Sequence, residues 1–129
     1  MADIKTGGGI EMKAITLCGS LKFQKEMMKV AEEMSLEGYC ILTPVYPVLE
    51  NINGTEEQLV SVKKAHFKRI ELSDAILVVN VDNYIGNSTS LEIDYAKKLG
   101  KEIIYYTDLI ENKLIGDNFR VGCKWGELY

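Results

Sequence analysis

Thr89-Ser90-Leu91-Glu92 sets a hydroxyl three residues ahead of a carboxylate, where a polar loop gives way to a helical pattern. That spacing supports two readings. In one, Thr89 caps the helix and Glu92 reaches back to a backbone amide, as in a capping box. In the other, Glu92 is a working carboxylate. The positive end of the helix dipole favours its charged form, which suits it to nucleophilic attack. A nucleophile that expels a leaving group needs a proton donor. Asp82, on the loop before that helix, is the candidate by position, and a solvated loop Asp is the plainer reading. Asn80 could hold a ligand hydroxyl or simply end a strand. Ser20, Ser88 and Thr89 fall at helix starts, where backbone amides can seat an anion even while the side chains cap. His66 is the only histidine and shares an apolar stripe with Leu59, Val62 and Ile70. It reads as a satisfied core residue, with proton transfer as the lesser role. No second His or Cys stands at ligand spacing from it, so no metal site is expected.

The elements that must position these residues alternate between two periodicities. Short apolar runs at 14–18, 39–43, 75–81 and 102–106 read as strands buried on both faces. Helical patterns fill the gaps. Phe23, Met27, Val30 and Met34 form one apolar stripe, with Ser20 at its head and Gly38 past its end. Two further helices are expected over 56–72 and 88–99, the last ended by Gly100. Pro44 and Pro47 open a loop to Thr55 that is long enough to be functional. Tyr46 and Tyr84 could stack on a flat ligand or serve as packing. After Thr107 the pattern weakens to a short turn or helix and a small edge strand near 119–123.

The order β-α-β-loop-α-β-α-β implies an α/β fold: a doubly wound parallel sheet of the Rossmann or flavodoxin-like kind, in three α/β/α layers. Ligands of such folds bind outside the carboxyl ends of the strands, near the switch point. That rule gathers Gly19, Ser20 and Lys22, then Thr43 and the long loop, then Asn80 to Glu92, along one edge. Asp74 precedes its strand and belongs to the opposite edge.

Composition excludes several classes. The chain has 129 residues, 47% hydrophobic and 26% charged, which fits one soluble domain. Residues 1–12 read as a disordered leader with Gly7-Gly8-Gly9, and 13–129 as the domain. Fifteen Lys and Arg against nineteen Asp and Glu leave a net charge of −4, without a basic stripe. A nucleic-acid polymer is therefore not the expected partner. Cys18, Cys40 and Cys123 are odd in number, and Cys18 and Cys40 fall in apolar runs. They read as buried reduced thiols in a cytoplasmic protein with neither signal peptide nor membrane span.

Two stretches carry a resemblance. Cys18-Gly19-Ser20-Leu21-Lys22 is one. The other is the block 66–96, His-Phe-Lys-Arg-Ile-Glu-Leu-Ser-Asp-Ala-Ile-Leu-Val-Val-Asn-Val-Asp-Asn-Tyr-Ile-Gly-Asn-Ser-Thr-Ser-Leu-Glu-Ile-Asp-Tyr-Ala. Together they resemble the nucleoside 2-deoxyribosyltransferase-like superfamily, most closely its small bacterial and phage proteins, over residues 13 to about 106. The resemblance implies a Glu in the first turn of the helix after the third strand, in a pattern like Gly-Thr-x-x-Glu-x-Gly-x-Ala. That Glu attacks the anomeric carbon and expels the base. Glu92 and Ala96 match it, Ser88 stands where the family often has Gly, and Asp94 replaces the Gly after the Glu. Gly19-Ser20 matches the family's glycosyl and phosphate loop. Lys22 stands where nucleotide hydrolases of the family tend to have Arg, which hints at a 5′-phosphate.

The expected activity is thus N-glycosidic cleavage or 2-deoxyribosyl transfer, with Glu92 and Asp82 catalytic. Gly19, Ser20, Lys22, Asn80, Gly86, Ser88 and Thr89 would bind substrate. The resemblance also implies a homodimer or higher homo-oligomer, in which a neighbouring subunit completes the site. No cofactor is expected. The alternatives are a nucleotide-binding sensor of the same fold that does not turn over and a flavodoxin-like redox protein.

Overall fold

The structure, a computed structural model, describes residues 11–49 and 53–112. Most of the expected leader, the edge strand near 119–123 and Cys123 lie outside the described residues.

Two strands form the centre of the sheet because their sequences are apolar on both faces. β1 (Ala14–Cys18) and β3 (Ala75–Val78) pair in parallel with Ile15 beside Ala75 and Leu17 beside Leu77. β2 (Cys40–Leu42) and β4 (Glu102–Tyr105) flank them, giving the all-parallel order β2-β1-β3-β4. β3 is shorter than the apolar run 75–81 suggests, because the chain turns at Val81–Asn83 into one turn of 3₁₀ helix. β2 is an edge strand. Ile41 packs into the core, so its neighbour Cys40 faces the other way and is exposed. The expectation of a buried thiol fails there for that reason.

Helices cover both faces. α1 (Gln24–Leu36) buries Met27, Val30 and Met34 against Ile15, Leu17 and Leu77. α4 (Tyr106–Glu111) adds Tyr106 and Leu109 to that side. On the opposite face α2 (Glu56–Leu72) and α3 (Asn87–Lys98) bury Ile70, Ile93 and Ala96 against Ile76 and Val78. Each fully buried aliphatic side chain contributes on the order of 1.5–3 kcal/mol. The result is the expected three-layer, doubly wound α/β fold. Among the described residues no helix is long and apolar enough to cross a membrane.

Local signals set the helix ends. Gly38 (φ 102°) and Gly100 (φ 70°) end α1 and α3 in the left-handed region that glycine adopts without strain. At each, two backbone bonds close the last turn: Gly38 N–H to Ser35 and Tyr39 N–H to Met34, then Gly100 to Lys97 and Lys101 to Ala96. A capping box does form in this protein, but on α2. Thr55 accepts from the Gln58 amide at 3.1 Å, and the Gln58 side chain accepts from the Thr55 amide at 2.8 Å.

The C-terminal end of α2 is tied to β1. Thr16, buried in mid-strand, donates to the Arg69 carbonyl at 3.0 Å, and Ser73 donates to the same oxygen at 2.7 Å. Thr16 and Ser73 also meet each other. Asp74, at the opposite edge from the site as expected, accepts from the Ala14 amide at 2.8 Å.

Candidate functional site

The chain leaves β1 toward β2 on one side, while β3 lies on the other. This reversal of strand order opens a crevice at the carboxyl ends of β1 and β3. An open cleft of about 480 Å³ occupies it, a size that suits a small molecule. Gly19 and Ser20 form one lip, and Gly86, Asn87, Ser88 and Thr89 form the other. Pro44 and Val45 from the long loop and Val62, Lys63 and Phe67 from α2 complete the walls. Gly19 fits closely where it stands. A Cβ there would lie 3.2 Å from the Val79 carbonyl oxygen, a backbone atom that cannot easily yield. Ser20 caps the 3₁₀ turn Leu21–Phe23 that leads into α1, accepting from the Lys22 amide at 3.3 Å.

Glu92 faces this cleft. Helix α3 starts at Asn87, after Gly86, so Glu92 lies in its second turn. Thr89 is already inside the helix and buried, and the capping box that Thr89-x-x-Glu92 suggests does not form. The Glu92 side chain is 16% exposed, and its carboxylate lies within 4.8 Å of the Cys18 thiol at the end of β1. His66 of α2 completes the group. Its Nε2 lies 3.7 Å from Glu92 Oε1 and 3.8 Å from Cys18 Sγ. Arg69 Nη1 stands 3.4 Å from His66 Nδ1. A guanidinium can only donate, so Nδ1 is the acceptor and the imidazole proton sits on Nε2.

Burial governs the protonation of this cluster. It pushes Glu92 up to about 7, against the pull of the Cys18 thiol and the Lys63 charge. It pushes His66 down to about 4; the Arg69 charge adds to this and a hydrogen bond to the Leu17 carbonyl opposes it. Burial and the Glu92 charge together hold the Cys18 thiol well above its usual range. At neutral pH the imidazole and thiol are therefore uncharged and the carboxyl is partly ionised. The close approach of His66 and Glu92 is then not an ion pair. The expectation that the helix terminus depresses the Glu92 pKa fails, because the dipole acts within the first turn and Glu92 lies beyond it, where desolvation dominates. A carboxyl poised near 7 can gain or lose a proton at working pH.

Of the expected site residues, Gly19, Ser20, Gly86, Ser88, Thr89 and Glu92 line the cleft together. Asp82, Asn80 and Lys22 are not among its lining residues. Asp82 is exposed on the 3₁₀ turn with φ 53°, outside the cleft wall. Asn80 is buried and occupied. Its amide donates to Thr107 Oγ1 and its carbonyl accepts from the Thr107 amide, both at 3.2 Å. Lys22 Nζ sits 3.3 Å from the centre of the Tyr84 ring, a cation–π contact on the rim that steadies Tyr84 as a cleft residue. Among the described lining residues Glu92 is the only carboxylate, accompanied by two cations, Lys63 and Arg69.

Cys18 and His66 are the residues that spacing does not reveal. They are 48 positions apart, and each looks like core in its own element. Only the crossing of α2 over β1 brings them to Glu92. Against models of known protein families and against curated proteins, the sequence matches nothing.

Proposed function

We propose that the protein binds a nucleoside or nucleotide in this cleft and opens its N-glycosidic bond through Glu92. The observation that carries this reading is the placement of the Glu92 carboxyl. It is freed from helix capping, faces the cleft at the switch point and stands beside His66 and Cys18. The resemblance of 18–22 and 66–96 to nucleoside 2-deoxyribosyltransferase-like proteins supports the same reaction. Val45, Val62, Phe67 and Tyr84 offer apolar surface for a base, while Ser20 and Ser88 offer hydroxyls for a sugar.

The ionised carboxylate attacks C1′ and a glycosyl ester forms as the C1′–N bond breaks, with the bond's electron pair leaving on the base. Water or a second base then attacks C1′ and releases Glu92. With Asp82 outside the cleft wall, the proton for the leaving base comes from solvent in the open cleft. Two observations favour a second reading, nucleotide binding without turnover: among the described residues the cleft has a single carboxylate, and that carboxylate is about half protonated at neutral pH.

Free-base release from a panel of deoxynucleosides and their 5′-monophosphates, with wild type beside Glu92→Ala, separates the two. Release by wild type alone establishes the glycosidic reaction. No release from any member, with a ligand that still raises the melting temperature, establishes the binding module.

A further inference from the structure

Cys18, His66 and Glu92 reach one point from β1, α2 and α3, and they offer one sulfur, one nitrogen and one oxygen donor. The three atoms lie within 4.8 Å of one another, with Sγ to Nε2 at 3.8 Å and Nε2 to Oε1 at 3.7 Å. Donors bound tetrahedrally to zinc at ~2.0–2.3 Å stand roughly 3.3–3.6 Å apart. The two sides that meet at His66 Nε2 need to contract by only a few tenths of an ångström to close on an ion, and the Cys18–Glu92 side, within 4.8 Å, by up to about one ångström. His66 and Glu92 line the cleft, so a fourth coordination position opens toward it.

We propose that Cys18, His66 and Glu92 form a three-ligand site for a borderline-soft divalent cation of the zinc class, open to the cleft at its fourth position. Thiolate, imidazole and carboxylate together select zinc and its congeners over magnesium or calcium, which take oxygen ligands. Binding involves no electron transfer. The Cys18 thiol, and Glu92 where protonated, release protons to solvent as the metal bonds form. The imidazole keeps one proton, which passes from Nε2 to Nδ1 so that Nε2 can ligate. Arg69 opposes that step, because its guanidinium donates to Nδ1 and adds positive charge. Lys63 adds a second cation at the cleft wall. The site is therefore one that Arg69 weakens, and Arg69 must swing away when it fills.

One consequence rests on the function proposed above. An ion on Glu92 draws charge from the carboxylate and sets a positive charge beside the cationic transition state at C1′, so the ion inhibits glycosidic cleavage. Metal binding itself does not depend on that reading.

The test is a cadmium titration of the chelator-treated full chain carrying Cys40→Ser and Cys123→Ser, which leaves Cys18 as the only thiol. The readout is the ultraviolet thiolate-to-cadmium charge-transfer band. One cadmium per chain is expected, with affinity falling at least ~10-fold in Glu92→Gln or His66→Gln and rising in Arg69→Met. Thermal melts of each variant establish that it is folded. No band from the single-thiol chain would overturn the site, and so would an affinity unchanged in both ligand variants. Arg69→Met supplies a variant that keeps all three ligands and must bind more tightly. If base release continues with cadmium saturating the band, the role of Glu92 as nucleophile fails while the metal site stands.

Discussion

In the metal-free protein His66 and Glu92 are both uncharged over a range in which both would be charged in the unfolded chain. Unfolded, the carboxyl titrates near 4.5 and the imidazole near 6.5; folded, they titrate at about 7 and about 4. Between pH 4.5 and 6.5 the folded protein holds a proton on Glu92 that the unfolded chain has lost. The unfolded chain holds one on His66 that the folded protein refuses. The proton counts are equal, so the pair leaves stability flat with pH in that window. Each half alone does not. Glu92, raised from 4.5 to about 7, gives stability that is full below 4.5 and lost as pH rises through 7, about 3 kcal/mol in all. His66, lowered from 6.5 to about 4, gives the opposite: stability full above 6.5 and lost as pH falls through 4, again about 3 kcal/mol.

Glu92→Gln removes one half and leaves the other. Its stability should match wild type near pH 4.5, climb with pH to 6.5 and exceed wild type by about 3 kcal/mol at pH 8. In melting temperature the excess at pH 8 is on the order of 10 °C. Thermal or urea melts of both proteins at pH 4.5, 6 and 8 read this directly. The chain has a single histidine, so its imidazole ¹⁵N signals need no assignment. They should show the neutral Nε2–H form at pH 5.5. Parallel stability curves for the two proteins, or an imidazolium at pH 5.5, would refute the reasoning and make the pair a buried salt bridge.

Three other outcomes follow from the same geometry. Base release, measured at saturating substrate, should rise with pH and level off above about 7, as the Glu92 carboxyl ionises. Gly19→Ala drives a Cβ to 3.2 Å from the Val79 carbonyl and should cost roughly 1–3 kcal/mol in urea melts, with weaker ligand binding by calorimetry. Thr55→Ala removes the cap of α2 and should cost ~1 kcal/mol by the same melts, with no change at Glu92.

The sheet and its helices were legible in the sequence because each central strand is apolar on both faces and each helix carries one apolar stripe. The glycine stops at Gly38 and Gly100 were legible for an equally local reason. The lining of the cleft was legible where position follows from topology, as with Gly19, Ser20 and the Gly86–Thr89 lip. It was not legible where a side chain had two possible partners. Asn80 stands at the right strand end, yet Thr107, 27 residues on, engages both of its polar atoms. Asp82 sits on the right loop, but the turn at Val81–Asn83 takes it out of the cleft wall. Thr89-x-x-Glu92 has capping spacing, yet the helix begins two residues earlier, at Asn87. His66 follows an apolar stripe that is only half buried. Ile70 is enclosed, while Leu59 and Val62 are 56% and 47% exposed.

That uneven stripe makes α2 a cantilever. Its root is clamped where Thr16 and Ser73 share the Arg69 carbonyl, and its outer span leaves Leu59 and Val62 about half exposed. His66 and Arg69 belong to the root, whereas Val62 and Lys63 belong to the span. Stiffness along the rod is therefore graded, and amide exchange should slow steadily from the tip near Glu57 toward Ile70. The same gradient separates the wall of the cleft from its floor: Val62 and Lys63 lie on the less buried span, His66 beside Glu92 on the enclosed root.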